Sequence, residues 1–166
     1  LKKTKFDFIV LSPGINKDVC NLKKFLLINK SKIISDLDIF YFKNIQNLKI
    51  CITGTNGKST TSKIIHKILK NAGLDARLVG NIGQPILNEK KITKKTVFVV
   101  EISSYQIEYS KYFKSDIAAI LNIFPDHLDR HKTFSNYRKI KFKLIKNLRP
   151  GGTGLIEKNI FSNKDI

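Results

Sequence analysis

The 166-residue sequence contains no methionine, no tryptophan and only two cysteines. Cys20 and Cys51 lie far apart, and neither belongs to a C-x-x-C pair, so neither a disulfide framework nor a cysteine metal site is predicted. This usage fits a reducing compartment, and we expect a cytoplasmic protein. No apolar run approaches the roughly 20 residues of a membrane-spanning helix, and no secretory signal opens the chain. We therefore expect no membrane partner.

Acidic residues are also scarce, because 13 Asp and Glu stand against 31 Lys and Arg and give a formal net charge of +18. Such a balance is typical of proteins that bind the phosphate backbone of nucleic acids. Only four of these basic residues are arginines, however, and the 27 lysines are scattered along the chain. Arginine is the residue favoured for bidentate and stacked recognition. We interpret the lysines as a solvated surface and expect no specific nucleic-acid partner, with a basic binding module as an alternative.

The chain does not begin with methionine. The sequence begins at Leu1, and its first residues run directly into the strand-like segment FDFIVL. From these two features we expect the chain to be a piece of a longer protein whose natural beginning is absent.

Short β-rich apolar runs alternate with helical patterns, which is typical of an α/β fold with a mostly parallel sheet. The segments with strand character are FDFIVL, LKICIT, ARLVG, TVFVVEIS and DIAAILNI. A helix is predicted after LKICIT, with Gly73 as its end. A second helix, FSNYRKIKFKLIKNL, is ended by Pro150-Gly151-Gly152, and no element is assigned to the residues beyond.

A glycine loop, TGTNGKST at residues 53–60, separates the strand LKICIT from the first of these helices. That order turns backbone N–H groups and a helix N-terminus toward an anion. Lys58 would neutralise the terminal phosphates of a nucleotide, and the Ser59 hydroxyl would ligate Mg²⁺. The pattern G-x-x-x-x-G-K-[ST] requires a glycine where this chain has Ile52. The loop is therefore shorter than in the common GTPases and kinases.

Polar residues follow three other strands. Asn81 follows ARLVG, Glu101 lies near the end of TVFVVEIS, and His127 follows DIAAILNI. Because ligands of open α/β sheets lie outside the carboxyl ends of the strands, we expect these residues to face one crevice. A carboxylate in an apolar strand is costly unless it is paired or binds a cation. We favour Glu101 as a metal ligand over a glutamate neutralised by a nearby lysine.

The segment NIFPDHLDRH contains two histidines, His127 and His131, at a spacing that could share a zinc ion on a helix. Pro125 predicts a turn here instead, and no third nitrogen or sulfur ligand is near in sequence. A single His127 beside Mg²⁺ or substrate is the alternative that we favour over zinc. A purely structural histidine stays equally open.

Lys141 lies within an apolar stripe of the last predicted helix. At about 100° per residue the stripe consists of Phe134, Tyr137, Ile140, Leu144, Ile145 and Leu148. The lysines predicted on the opposite, solvated face are Lys139, Lys143 and Lys146. Two interpretations of Lys141 stay open: its ammonium reaches water past a packed stem, or it is a functional lysine whose pKa is lowered by burial.

Taken together, TGTNGKSTT, VVEISSYQIE and NIFPDHLDRH resemble the Mur ligase family of peptidoglycan synthesis. The short loop G-T-N-G-K-S is that family's form, and EISSYQ is similar to the E-L-S-S-F-Q of its D-glutamate-adding members. The resemblance covers nearly the whole chain and implies two units. Residues 1–43 would be the end of a Rossmann-like UDP-substrate-binding domain, because LSPGI and SDLDIF are similar to it. Residues 44–166 would be an incomplete, parallel-sheet P-loop ATPase domain, with a third domain absent.

The resemblance implies an ATP-dependent amide-bond ligase. ATP would phosphorylate the free carboxylate of UDP-N-acetylmuramoyl-L-alanine, the amine of D-glutamate would attack the acyl phosphate, and Mg²⁺ would offset the phosphoryl charge. We expect the full-length enzyme to be a monomer, and the present chain to be inactive as a ligase without the third domain. A folylpolyglutamate-synthase-like ligase stays an alternative, although those enzymes usually have glycine at the position of Ser59.

Roles at single positions are also implied by the resemblance. The ATP-binding residues would be Gly54, Thr55, Asn56, Gly57, Lys58, Ser59 and Thr60. The residues that contact the muramoyl substrate would be Asn81, Ser103 and Gln106, and those that line its uridine diphosphate site Ser12, Pro13 and Gly14. Ser59 and Glu101 would serve one Mg²⁺ and His127 another. Lys141, in the pattern Y-R-x-x-K, would be carbamylated and ligate Mg²⁺, which completes the catalytic set of Lys58, Glu101, His127 and Lys141.

Overall fold

Helices and strands alternate along the chain in the computed structural model, which describes residues 5–161. The strands are β1 (Ile9–Val10), β2 (Ile33–Ile34), β3 (Leu48–Thr53), β4 (Ala76–Gly80), β5 (Val97–Glu101), β6 (Ser115–Ile120) and β7 (Leu148–Ile156). The α-helices are α1 (Lys23–Ile28), α2 (Asp36–Lys43), α3 (Lys58–Asn71), α4 (Ser104–Tyr109), α5 (Leu128–His131) and α6 (Phe134–Lys146). Within residues 5–161, none of these helices is both long and apolar enough to cross a membrane.

Two parallel sheets organise these elements, and the predicted α/β class is confirmed. β1 and β2 form a two-stranded sheet, while the order β4-β5-β3-β6-β7 forms a five-stranded one. In the larger sheet β3 pairs with β5 up to Ile52–Glu101 and with β6 up to Thr53–Ile120. The carboxyl ends of β3, β4, β5 and β6 therefore meet at one edge, which we call the carboxyl edge.

Helices cover both faces of the large sheet, which explains why β5 is buried along its whole length. On one face, α3 packs Ile65 and Leu69 against a small apolar cluster formed by Ile50, Ile52 and Val97. The larger cluster on the other face draws its members from the strands and from α2, α4 and α6. Within it the rings of Phe40 and Phe98 meet edge to face, with centroids 4.8 Å apart.

The first 43 residues share two apolar clusters with the rest of the chain. α2 contributes Leu37 and Phe40 to the larger core. Tyr109 of α4 joins the smaller cluster formed by Leu11, Leu26 and Ile33. A division of the chain at residues 43 and 44 stays a prediction, and residues 162–166 of the second predicted unit lie outside the described residues.

Strand β7 corrects the sequence prediction, which places only a helix break at Pro150-Gly151-Gly152. The helix does end before this tripeptide, but β7 then runs through it along the edge of the sheet. Its register with β6 shifts between Ser115 and Ile117, so the extra residues of β7 leave the regular ladder. Proline is tolerated at edge strands and bulges because its missing N–H is not needed there for pairing.

Lys49 is fully buried in β3, the central strand of the large sheet. Its Nζ donates hydrogen bonds to Asn47 O at 2.6 Å and to Ile45 O at 3.3 Å, and lies 5.3 Å from the centre of the Tyr41 ring. Burial lowers the pKa of Lys49 from 10.5 to about 8, although the nearby Asp116 carboxylate acts in the opposite direction. The folded chain thus holds this proton less tightly than the unfolded chain.

We expect the free energy of unfolding to depend on pH through Lys49. Between pH 8 and 10.5 the unfolded chain binds more protons at this group, so stability should rise with pH across that window. The rise from one lysine shifted this far is on the order of 3 kcal/mol. Lys49→Met should remove it, while Lys139→Met, at an exposed lysine, should keep it. Urea unfolding at pH 7 to 10.5 measures both, and equal pH slopes in the two variants would contradict the assignment.

Candidate functional site

The loop between β3 and α3 presents a helix start at the carboxyl edge. Gly57 has a φ of 79°, in the left-handed region that other residues rarely adopt, and it directly precedes α3. Lys58 and Ser59 are therefore the first two helical residues. The first N–H groups of a helix have no acceptor within it and carry the positive end of the helix dipole. The geometry supports an anion site at the amides of residues 58–60.

Asn122, which belongs to no predicted site, holds the loop from the segment that follows β6. Its Oδ1 accepts hydrogen bonds from the backbone N–H of Asn56 at 2.8 Å and of Thr55 at 3.1 Å. Its Nδ2 donates to Asn56 O at 3.1 Å. Asparagine after a strand usually predicts only a turn, so no sequence pattern indicates this contact. These bonds occupy the loop's first amides and leave the helix-start amides for a ligand.

Lys58 and Lys141 converge on one carbonyl oxygen of the loop. The Nζ of Lys58 donates to Gly54 O at 3.0 Å and to Thr55 O at 2.7 Å. The Nζ of Lys141 donates to the same Gly54 O at 2.8 Å and to Thr53 Oγ1 at 3.4 Å. The two cationic groups share this acceptor at the site where the sequence predicts phosphate. A bound anion would offset their mutual repulsion.

Lys141 is only 1% exposed, so the interpretation that its ammonium reaches water is wrong. Burial in the first place, and the positive charge of Lys58 in the second, lower its pKa from 10.5 to about 7. Near neutral pH a substantial fraction of this side chain is therefore an uncharged amine. Uncharged amines are nucleophiles, whereas ammonium groups are not.

The other lysines of α6 do not all behave as predicted. Lys139 and Lys146 are exposed. Lys143 is half-buried instead, and its Nζ donates to the backbone oxygens of Ile107, at 3.2 Å, and of Ser110. The last carbonyl groups of a helix attract cations, and here they draw Lys143 onto the end of α4. Burial lowers the pKa of Lys143, and the prediction of a solvated side chain is wrong.

Glu101, the last residue of β5, is 1% exposed. Its Oε1 accepts a hydrogen bond from Asn81 Nδ2 at 2.8 Å, while its buried Oε2 has no hydrogen-bond partner among the described residues. The alternative of a neutralising lysine is not observed within residues 5–161. An unpartnered carboxylate oxygen is costly to bury, and carboxylate oxygens are the ligands that Mg²⁺ prefers. Glu101 therefore fits a cation-binding role.

Asn81 lies beside Glu101 because it directly follows β4, which pairs with β5 up to that residue. Gly80 pairs with Glu101, and a Cβ atom at Gly80 would lie 2.3 Å from Glu101 O, so no larger residue fits. The backbone N–H of Asn81 then donates to the same Glu101 O at 2.9 Å. The structure thus brings Asn81 and Glu101 together, as expected from their positions after neighbouring strands.

The two histidines have different surroundings. His127 has a φ of 51°, a half-exposed ring, and an Nε2 atom 3.4 Å from Asp126 Oδ2. His131 is buried, and its Nε2 lies 3.0 Å from Ser104 Oγ. Burial lowers the pKa of His131 and so favours its uncharged form. His127 remains accessible from the carboxyl edge, and its role as a Mg²⁺ ligand stays a prediction.

The predicted metal site would need more than one kind of ligand. In the part of the chain that the structure describes, no three His, Cys, Asp or Glu side chains form a group that could hold a metal ion. A Mg²⁺ ion at Glu101 would therefore also need ligands of other kinds, such as the Ser59 hydroxyl, phosphate oxygens or a modified Lys141. Magnesium commonly combines one or two carboxylates with water and phosphate oxygens, so this donor set fits the ion.

Tyr137 connects the loop with the helix that carries Lys141. Its hydroxyl lies 3.1 Å from Thr55 Oγ1, and the centre of its ring lies 4.7 Å from Lys141 Nζ. On the other side the ring packs against His131 at a centroid distance of 5.5 Å. The stripe pattern identifies Tyr137 only as a core residue, because periodicity does not show where its hydroxyl points.

The predicted substrate residues occupy two places. Ser103 and Gln106 form a capping box at the start of α4: Gln106 N donates to Ser103 Oγ at 3.3 Å, and Ser103 N donates to Gln106 Oε1 at 3.1 Å. The turn Ser12-Pro13-Gly14 follows β1, and Ser12 O accepts from Ile15 N at 3.0 Å. Contact of either group with substrate stays a prediction.

Comparison with known proteins identifies the family. Residues 52–163 match the Mur ligase middle domain. The UDP-N-acetylmuramoylalanine--D-glutamate ligase of Alkaliphilus oremlandii (strain OhILAs) is 41% identical over 142 residues, which are 85% of this chain and 31% of that protein. The protein of the same name from Rickettsia bellii (strain RML369-C) is 40% identical over 158 residues, 94% of this chain and 34% of that protein. The chain thus spans about a third of these curated relatives.

Solved structures support the fold. The MurF ligase from Thermotoga maritima in complex with ADP superimposes with a TM-score of 0.57 at 18% identity, covering 99% of this chain and 45% of that one. At this level of identity the similarity concerns the fold alone. It confirms the predicted arrangement of a parallel sheet flanked by helices.

Asn122 provides a test of how the loop is held. In the full-length gene product, Asn122→Ala should weaken nucleotide binding by about 10- to 100-fold. The Asn56 N–H and C=O lose their partner, and the Thr55 N–H keeps only the backbone oxygen of residue 122. Asn122→Asp keeps the acceptor oxygen but turns a carboxylate oxygen toward Asn56 O and adds negative charge beside the phosphates, so it should not restore the affinity. Asn136→Ala, at an exposed asparagine, serves as the control. Calorimetric titration with ADP measures the affinities, and an unchanged value for Asn122→Ala would show that Asn122 does not hold the loop.

Proposed function

The chain belongs to the Mur ligase family, and we propose that it carries the nucleotide-binding part of an ATP-dependent ligase that joins D-glutamate to UDP-N-acetylmuramoyl-L-alanine. The observation that carries this proposal is the carboxyl edge. The helix start with Lys58 follows β3, the unpartnered Glu101 oxygen lies at the end of the adjacent β5, and buried Lys141 contacts the loop between β3 and α3 at Gly54 O. The names of the relatives at 40 and 41% identity support the choice of D-glutamate.

The terminal phosphates of ATP would be bound by the amides at the start of α3 and by the Lys58 ammonium, which can leave the loop carbonyls that it now contacts. Ser59 and Glu101 would hold Mg²⁺. When bound, this ion supplies positive charge that offsets the negative charge of the transferring phosphoryl group. The loop itself is kept rigid by Asn122, so its amides are positioned before the phosphate arrives.

Lys141 would act as a carbamate. Its amine is accessible in the uncharged form because burial lowers its pKa to about 7. The amine nitrogen would form a bond to the carbon of carbon dioxide, and one proton would leave for solvent. The resulting anion would lie beside Thr53 and Gly54, where it offsets the charge of Lys58 and provides an oxygen ligand for Mg²⁺.

The remaining roles extend this proposal to the substrates. The uridine diphosphate would lie along Ser12, Pro13 and Gly14, and the muramoyl part near Asn81 and the α4 residues Ser103 and Gln106. His127, accessible at the same edge, would serve a second Mg²⁺. The full-length enzyme would be a monomer in the cytoplasm, a compartment in which free cysteines such as Cys20 and Cys51 are usual. Residues 1–43 and 44–166 would belong to the UDP-binding and ATP-binding domains.

Lys58→Ala should abolish ligase activity in the full-length gene product while the protein stays folded. The residue lies on a polar loop, and loss of a charge that stabilises the transferring phosphoryl group costs about 10²- to 10³-fold in rate. Lys63→Ala, at an exposed lysine of the same helix, is the matched control. Phosphate release that depends on D-glutamate is the measurement. Near-normal rates for Lys58→Ala would show that the loop does not bind the reacting phosphate.

Lys141→Ala should also inactivate the full-length enzyme, and a small carboxylate such as formate should partly restore turnover by occupying the vacated anion position. Lys139→Ala should have little effect, and formate should not stimulate it. If Lys141 were a purely structural ammonium, formate should not restore activity to Lys141→Ala, because there would be no anion to replace. Activity is measured across formate concentrations, with circular dichroism to confirm the fold. An active Lys141→Ala enzyme, or a folded one that formate never helps, would exclude the carbamate.

A further inference from the structure

Arg130 makes a set of contacts that the proposed function does not use. It follows His127 by three residues, and its side chain is only 7% exposed. The guanidinium donates from Nε to Glu108 Oε2 at 3.0 Å, and from one terminal nitrogen to Ile15 O at 2.9 Å and Tyr109 OH at 2.6 Å. It contacts both ends of α4 as well as the loop after β1.

Tyr109 makes a second connection to the loop after β1. Its hydroxyl donates to Ile15 O at 2.9 Å and accepts from Lys17 N at 3.3 Å as well as from Arg130. One donor and two acceptor positions of the phenol are therefore all occupied. The tyrosine ring is anchored in the small cluster with Leu11 and Leu26.

Glu108 completes the group, because its carboxylate lies 3.0 Å from Arg130 Nε and 3.5 Å from Lys17 Nζ. The guanidinium carbon also lies 5.3 and 5.4 Å from the centres of the Tyr105 and Tyr109 rings. A guanidinium that is hydrogen-bonded on two sides and stacked on aromatic rings cannot be replaced by an ammonium without loss. The arrangement is thus specific for arginine.

Four of these bonds join the group to Ile15 and Lys17, which closely follow the turn Ser12-Pro13-Gly14. We propose that Arg130, Glu108 and Tyr109 form a latch that holds the loop of residues 12–17 at the carboxyl edge and so sets the affinity for the UDP-bearing substrate. This inference rests on the proposed function, which assigns the uridine diphosphate to that loop. Arg130 is a positioning residue, and it acts on the substrate through the loop.

The latch is separate from the phosphate loop. Among the described residues, the side-chain hydrogen bonds of Arg130 reach Ile15, Glu108 and Tyr109 and none of residues 54–60. Its backbone N–H donates to His127 O at 3.1 Å. A loosened latch should therefore alter the site for the UDP-bearing substrate and leave the nucleotide site unchanged. A residue that only stabilises the fold would affect both sites together.

Steady-state kinetics of the full-length gene product separate these outcomes. Arg130→Lys should raise KM for UDP-N-acetylmuramoyl-L-alanine about tenfold, the loss expected for charge-assisted hydrogen bonds that a lysine cannot reproduce, and change KM for ATP less than twofold. Tyr109→Phe, which removes only a hydroxyl, should raise the same KM by a smaller factor. In the double variant the effects should be less than multiplicative, because the two residues share Ile15 O.

Arg149 offers a matched control. It also binds a carboxylate and a backbone oxygen, Asp116 Oδ1 at 3.1 Å and Ile45 O at 3.0 Å, but it lies where β7 begins, away from the carboxyl edge. Arg149→Lys should change neither KM. Equal changes in both KM values, or the same pattern in Arg149→Lys, would overturn the latch. If Arg130→Lys fails to fold, Tyr109→Phe alone decides by the same criterion.

Binding of uridine diphosphate and of ADP gives a readout that needs no turnover. Arg130→Lys should bind uridine diphosphate about tenfold more weakly and ADP as tightly as the unchanged enzyme does. If the unchanged enzyme binds uridine diphosphate but does not use D-glutamate, the proposed function fails while the latch is still judged by this comparison. If the unchanged enzyme does not bind uridine diphosphate, or the variant binds it equally well, the latch itself is excluded.

Discussion

The parallel register of β3 with its two neighbours is the constraint on which the rest of the structure depends. Ile102 N donates to Ile52 O at 2.9 Å, and Leu121 N donates to Thr53 O at 3.0 Å, so three chain segments leave the sheet side by side. The phosphate loop, Glu101 and Asn122 are neighbours for this reason. No contact between their side chains is needed to bring them together, because the ladder fixes where each strand ends.

Much of this edge follows from the sequence. The loop after LKICIT and the positions of Asn81 and Glu101 after neighbouring strands depend on local patterns, namely glycine spacing and apolar runs. Lys141 is also recognisable, because helical periodicity places it among residues that must be buried. Strand boundaries are less well predicted: FDFIVL forms a ladder only at Ile9 and Val10, since the length of a strand depends on the partner that it finds.

The features that the sequence misses are set by tertiary neighbours. β7 contains Pro-Gly-Gly and pairs only because β6 offers an open edge that tolerates a register shift. Lys49 is buried because both faces of the central strand are covered, which no alternation pattern reveals. Lys143 turns inward because the carbonyl groups at the end of α4 are near it. Asn122 looks like an ordinary turn residue until β6 is placed beside β3.

The hold of Asn122 on the loop has a thermodynamic consequence. Because Asn122 belongs to the segment after β6, the conformation of Thr55 and Asn56 forms together with the β3–β6 pair and not with the ligand. Fixing the backbone of a residue costs roughly 1–2 kcal/mol of conformational entropy. For Thr55 and Asn56 this entropy is lost when the chain folds and not when the ligand binds. Association with nucleotide then requires less ordering of the chain. Any change that loosens the pairing of β6 with β3 transfers the cost back to the binding step.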